Sequence, residues 1–135
     1  MRRLALPAAA VASMASLAGC YYDSDCAPTR VVAQRADKVN LGAAARSAVV
    51  TATLTAGGTP LPGRTLTFDV LDDGSSVYDD DARTGADGSA SVDLKRADPA
   101  AIVAVVRADH VRASFAGDSA YCASSDDAAF RAVRS

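Results

Sequence analysis

The sequence contains no tryptophan and no glutamate, and its 135 residues include only three phenylalanines and one histidine. Much of its hydrophobic content is alanine, which buries little area per residue, so the core must be thin. Acidic charge lies entirely on aspartate and basic charge nearly all on arginine, a composition that disfavours long amphipathic helices and favours turns and strand edges. The sequence therefore predicts one small domain that is not all-helical.

The chain also lacks a basic stripe with interleaved aromatic residues. Its formal net charge is −2, and removal of Arg2 and Arg3 takes this to −4. A nucleic-acid partner requires clustered positive charge to neutralise phosphates. We therefore expect no nucleic-acid partner.

The N-terminus has the pattern of an export signal. Arg2 and Arg3 precede the apolar stretch Leu4–Leu17, which is shorter than the roughly 20 residues of a spanning helix. The following Leu17-Ala18-Gly19-Cys20 resembles the lipobox of bacterial lipoproteins, in which the cysteine thiol accepts a diacylglyceryl group. The resemblance implies a lipoprotein signal peptide over residues 1–19, lipidation of Cys20, and an exported, membrane-anchored lipoprotein in the cell envelope. An ordinary secretory signal, cut near Ser13-Met14-Ala15, is the alternative.

The odd number of cysteines fits the lipidation hypothesis. If Cys20 carries lipid, Cys26 and Cys122 remain as a pair in an oxidising compartment. Their disulfide would close a loop of 96 residues, which the chain-entropy model values at about 4 to 5 kcal/mol. Pairing of Cys20 with either of the other two stays open if Cys20 is not lipidated. The cysteines show no CxxC spacing for a metal site.

Alternating apolar and polar residues predict strands through most of the chain from Ser47 onward. Turn residues separate these short runs, and seven to nine strands at this spacing indicate an antiparallel sandwich. Short strands are also predicted at 77–78 and 82–84. Residues 98–108 are ambiguous, because Asp98-Pro99 is typical of a helix start while two β-branched pairs favour a strand. We interpret this segment as a strand from about Ile102.

Three blocks of sequence resemble the bacterial immunoglobulin-like domains that occur in tandem in surface proteins and adhesins. The blocks are Pro60-Leu61-Pro62-Gly63-Arg64, Thr84-Gly85-Ala86-Asp87-Gly88 and Ser114 to Tyr121. The resemblance implies an all-β, antiparallel immunoglobulin-like β-sandwich of about 7–9 strands over residues 47–135. Residues 20–46 would form a tether with a candidate first edge strand. The family implies a binding or spacer role and has no shared catalytic residues.

Catalytic and metal-binding candidates are few. His110 is the only histidine, and no Gly-x-Ser-x-Gly elbow accompanies it, so a nucleophilic triad is not indicated. Calcium binds hard oxygen ligands, and loop carboxylates of a sandwich could supply them. The weak candidates for calcium ligands are Asp72, Asp73, Asp79, Asp80 and Asp81. Consecutive aspartates also solvate loops and block edge-to-edge strand pairing.

Together these observations predict a non-enzymatic cell-envelope lipoprotein without a cofactor. Its single immunoglobulin-like domain would act as a binding or structural module near the membrane, with the lipid on Cys20 as its contact to the bilayer. The expected partner is an envelope protein or glycan whose identity the sequence does not specify. A small exported hydrolase or hydrolase inhibitor is the alternative function, and a calcium-stabilised module is a third.

Overall fold

A computed structural model of the chain describes residues 25–134, and within that range nine strands and one α-helix build the domain. The strands are β1 (Arg30–Ala33), β2 (Ala36–Asn40), β3 (Val49–Ala56), β4 (Thr59–Pro60), β5 (Thr65–Asp72), β6 (Ser75–Arg83), β7 (Ser89–Asp93), β8 (His110–Phe115) and β9 (Ser124–Val133), and the helix is α1 (Pro99–Val106). The predicted all-β sandwich is confirmed. The predicted signal peptide, residues 1–19, lies outside the described residues.

Two sheets form the sandwich. In the first, β3 is central, with β1 on one edge and with β7 and the short β4 on the other. The second sheet has the order β2-β9-β8-β5-β6, in which only β2 and β9 run parallel. Phe68, Phe115 and Phe130 are all buried between the sheets, together with the inward-facing residues of β3 and β7. The alternation predicted from the sequence thus corresponds to the inner and outer faces of the two sheets.

Residues 30–40, which lie in the segment predicted as a tether, contribute two strands to the sandwich. β1 pairs with β3 in the first sheet, and after a short crossing β2 pairs with β9 in the second. Val31, Ala33 and Leu41 are buried in the core. Two inward residues are too few to produce a clear period, so the sequence indicated no more than one candidate edge strand here.

The interpretation of residues 102–108 as a strand is wrong, because Pro99–Val106 forms α1. The Asp98 carboxylate accepts a hydrogen bond from the Ala101 N–H at 2.8 Å, and Pro99 occupies the first turn, where its missing N–H costs nothing. These start signals outweigh the side-chain entropy cost of the β-branched residues. Val105 is fully buried against the sandwich.

The two short strands predicted at 77–78 and 82–84 are parts of one longer strand. β6 pairs with β5 along its length, with a bulge opposite Val70 and Leu71. The gap between the two predicted strands has a different cause, because it falls on Asp79-Asp80-Asp81, and aspartate is depleted in strands. β6 forms one edge of the second sheet.

Candidate functional site

The two ends of the sandwich differ in what they carry. One end, here called the disulfide end, holds the connections 57–64, 84–88 and 116–123, and the described chain begins there at Asp25. The opposite end, called the helix end, holds α1, the β5–β6 turn and residues 41–48. Cys20, the predicted lipidation site, lies outside the described residues. Sequence places it five residues before the start of the disulfide end.

Cys26 and Cys122 form a disulfide at the disulfide end, with their Cα atoms 5.1 Å apart. The predicted pairing therefore fits the fold. Two backbone hydrogen bonds lie beside the bridge: the Ala27 N–H donates to the Ala120 carbonyl at 2.9 Å, and the Cys122 N–H donates to the Ala27 carbonyl at 2.8 Å. This arrangement, called the clamp below, fastens the start of the domain to the β8–β9 connection.

Side chains continue the attachment beyond the clamp. The Thr29 hydroxyl donates to the Cys122 carbonyl at 2.7 Å and lies 2.7 Å from the Ser124 hydroxyl. Further along, the Asp126 carboxylate accepts a hydrogen bond from the Ala33 N–H at 2.8 Å. The chain from the clamp to the end of β1 is therefore bonded to the start of β9 as well as to β3.

The β8–β9 connection is a rigid turn. Gly117 has φ +86°, and a Cβ there would lie 2.9 Å from the Ala123 nitrogen, so other residues would be strained. The Asp118 carboxylate accepts hydrogen bonds from the Ala120 and Tyr121 N–H groups, each at 2.8 Å. These two bonds, with a smaller contribution from Arg64, lower the pKa of Asp118. The turn thus holds Cys122 in place for its bridge.

Arg64 connects this turn to the neighbouring connection. Its guanidinium carbon lies 5.0 Å from the centre of the Tyr121 ring, and its Nη1 lies 3.6 Å from an Asp118 carboxylate oxygen. A guanidinium over an aromatic face is attractive by about 0.5–1 kcal/mol at partly exposed sites. Two of the three sequence blocks that carry the family resemblance therefore meet at the disulfide end.

Thr84 belongs to the remaining block, residues 84–88, and joins it to the same end. Sequence reasoning missed this role. It is a buried polar residue, 5 % exposed. Its hydroxyl donates to the Leu61 carbonyl at 2.5 Å and accepts from the Arg64 N–H at 2.9 Å. A threonine beside a Gly-x-x-Gly turn was the available signal, but its partners lie twenty and twenty-three residues away in sequence.

The calcium candidates do not converge. Asp72 and Asp73 lie at the β5–β6 turn, whereas Asp79 and Asp81 are exposed on β6. Asp80 projects from the opposite face of that strand. Within residues 25–134, no group of three or more His, Cys, Asp or Glu residues is arranged to hold a metal ion.

Asp80 has structural contacts in place of a metal. Its carboxylate lies 3.6 Å from an Arg96 nitrogen and accepts a hydrogen bond from the Tyr78 hydroxyl at 3.5 Å. Burial, followed by the charge of Asp80, raises the pKa of Tyr78. A charge that points inward from an edge strand opposes pairing with another sheet. Asp80 can therefore block edge-to-edge pairing, the structural role that consecutive aspartates have in such strands.

His110 begins β8 at the helix end, and about half of its side chain is exposed. Its Nδ1 lies 3.0 Å from the Asp109 carboxylate, and this hydrogen bond lowers the pKa of Asp109. Among the described residues, Asp109 is the side chain to which His110 is hydrogen-bonded. The arrangement is an exposed Asp–His pair to which no hydroxyl group of residues 25–134 is hydrogen-bonded.

A polar cleft lies where the chain crosses from β1 to β2. It has a volume of about 280 Å³ and is lined by residues 34–40 and 47–51. Its rim includes an exposed ion pair between Arg35 and Asp37, with 3.1 Å between the charged atoms. The cleft exists because β1 leaves the first sheet at Ala33, opposite Ala52, so the first residues of β3, 49–51, have no described strand beside them on that side.

Two further findings concern the chain as a whole. None of the helices within residues 25–134 has the length and apolar character needed to cross a bilayer. No family model, no curated protein and no solved structure matches the chain.

Proposed function

We propose that the chain is a non-enzymatic cell-envelope lipoprotein, held at a membrane by lipid on Cys20. Its single immunoglobulin-like sandwich acts near that membrane as a binding or structural module. The partner is a protein or glycan of the envelope. The alternative function, a small exported hydrolase or hydrolase inhibitor, has less support, because within the described part of the chain no hydroxyl nucleophile is bonded to the Asp109–His110 pair.

One observation carries this proposal: the disulfide accounts for two of the three cysteines. Cys26 and Cys122 are bridged, so Cys20 has no cysteine partner within the chain. A free thiol is unusual in an oxidising compartment. Lipidation at the end of the lipobox-like sequence gives this third cysteine a chemical role.

Mass spectrometry of the mature N-terminus, on protein extracted from membranes, tests the anchor. The expected N-terminal residue is Cys20 bearing a diacylglyceryl group, and Cys20→Ser should abolish both the modification and membrane retention. The double variant Cys26→Ser/Cys122→Ser is the matched control, since it removes two cysteines but should keep the lipid. An unmodified N-terminus at Ala15 or Ser16 would overturn the proposal.

The non-enzymatic part is tested with generic esterase, peptidase and glycosidase substrates. We expect no turnover above a heat-inactivated control. Activity that disappears in His110→Ala but survives in Arg107→Ala, a neighbouring exposed control, would favour the hydrolase alternative.

A further inference from the structure

We propose that the disulfide end of the sandwich faces the lipid headgroups of the bilayer, and that the clamp fixes this orientation. The proposal rests on the proposed lipidation of Cys20. It adds an interaction surface, the disulfide end, and names the partner of that surface as the membrane itself.

The first argument is the number of residues between Cys20 and the clamp. Five residues, Tyr21 to Asp25, separate Cys20 from Cys26. At about 3.3–3.6 Å for each of the six steps, Cys26 lies within about 20 Å of the lipidated residue. The domain is therefore attached at one end by a very short connection.

The second argument compares this reach with the length of the sandwich. β3 alone has eight residues, whose seven steps span about 24 Å at about 3.4 Å per step. The helix end therefore lies farther from Cys26 than the tether can reach, so the domain cannot stand inverted on the membrane. Without the clamp, the first fixed point would be β1 at Arg30. Ten steps reach about 35 Å, which is enough for either end to approach the bilayer.

The third argument is the chemistry of the two ends. The disulfide end exposes small, uncharged residues, such as Ala27, Gly58, Pro60, Pro62, Ala86 and Ala120. Such a surface can approach headgroups without stripping water from charges, which is costly.

Several of the charged groups at the disulfide end have partners within the protein. Arg64 pairs with Asp118, the Arg83 guanidinium donates to the Gly63 carbonyl at 2.7 Å, and Asp87 accepts bonds from Ser89. The helix end exposes the charged residues Asp73, Asp98, Arg107 and Asp109, and two of these also have partners: Asp98 accepts a hydrogen bond from the Ala101 N–H, and Asp109 is hydrogen-bonded to His110. The orientation therefore rests on the short tether and the clamp, and the small uncharged residues of the disulfide end provide a surface that can approach the headgroups.

The absence of tryptophan from the chain allows a direct test with single reporters. Ala86→Trp places one indole at the disulfide end, and Val103→Trp places one on α1 at the helix end, both at exposed positions. Each lipidated protein is reconstituted into phosphatidylcholine vesicles that contain dansyl-headgroup lipid. Energy transfer from tryptophan to dansyl then reports the distance of each end from the headgroups.

We expect transfer to be several-fold more efficient from Ala86→Trp than from Val103→Trp. A Gly-Ser insertion of ten residues between Ser24 and Asp25 lengthens the tether beyond the sandwich and should shrink this difference while the disulfide stays intact. In protein without the insertion, the double change Cys26→Ser/Cys122→Ser removes the disulfide and should also shrink the difference. Circular dichroism confirms that this variant is folded.

The outcomes separate the two proposals. Protein that does not bind the vesicles would overturn the lipid anchor and the orientation with it. Protein that binds, but transfers energy equally from both reporters or better from the helix end, would overturn the orientation while leaving the anchor standing. An unchanged difference after the insertion would refute the short tether as its cause.

Discussion

Removal of the Cys26–Cys122 disulfide is expected to lower the free energy of unfolding by about 4 to 5 kcal/mol. The bridge joins residues that are 96 positions apart, and the chain-entropy relation gives about 4.7 kcal/mol for a loop near this length. A domain of this size has a total stability of roughly 5–15 kcal/mol. The disulfide therefore accounts for a third or more of the total.

The composition of the core makes this loss serious. Seven of the buried hydrophobic residues are alanine, and the buried aromatic residues are three phenylalanines. Because buried alanine contributes little apolar area, the core has little stability in reserve. We expect the double variant Cys26→Ala/Cys122→Ala to stay folded at 25 °C in the absence of urea, but with a much smaller free energy of unfolding.

Urea unfolding followed by far-ultraviolet circular dichroism measures the effect. With a slope of about 1–2 kcal/mol per molar urea, the midpoint of the double variant should fall by roughly 2–5 M. Ser119→Ala, an exposed change in the same turn, is the control and should stay within about 0.5 kcal/mol of the unmodified protein. A thiol titration should first show that Cys26 and Cys122 are fully oxidised in the unmodified protein. A fall in the urea midpoint of less than about 1 M would then refute the reasoning.

Three further predictions concern single residues. Thr84→Val keeps the side-chain shape but leaves the Arg64 N–H and the Leu61 carbonyl without their partner. The free energy of unfolding, measured with urea, should fall by about 2–4 kcal/mol, and a fall below about 0.5 kcal/mol would contradict this prediction. Gly88→Ala, at φ +78° with its Cβ 2.6 Å from the Leu54 carbonyl oxygen, should cost more than about 2 kcal/mol, measured as a fall in Tm. Arg112 donates a hydrogen bond to the Asp127 carboxylate and thereby lowers the pKa of Asp127. This pair therefore stabilises the fold fully above about pH 4, and the stabilisation is lost as the pH falls through the folded-state pKa of Asp127. Asp127→Asn should therefore weaken the acid dependence of Tm, and an unchanged profile would argue against the pair.

The sequence predicted those parts of the fold that have long alternating runs. β3 and β5 each present three or more inward residues, so their period of two is unmistakable. β1 has only two inward residues, and its place in the sandwich depends on bonds to β9 that no local pattern reveals. α1 was not predicted because the β-branched residues favoured a strand, whereas in the structure the helix start at Asp98-Pro99 outweighs them.

The candidate site was predictable to a similar extent. The cysteine count predicted the Cys26–Cys122 pair only under the hypothesis that Cys20 carries lipid, and otherwise left pairings with Cys20 open. The convergence of Arg64, Thr84 and Tyr121 at one end could not be predicted, because it depends on contacts between residues at least twenty positions apart. Lipidation of Cys20 stays a prediction.

The disulfide also determines how the domain carries a mechanical load. Residues 26 to 122 form a closed covalent ring, so a pull on the N-terminus passes to Cys122 without peeling β1 or β2 from their sheets. Among the described strands, β9 alone lies after the ring, and it is bonded to β8 on one side and to β2 on the other. A load between the N-terminus and the C-terminus would therefore act on β9 along its length, so that many hydrogen bonds must break together.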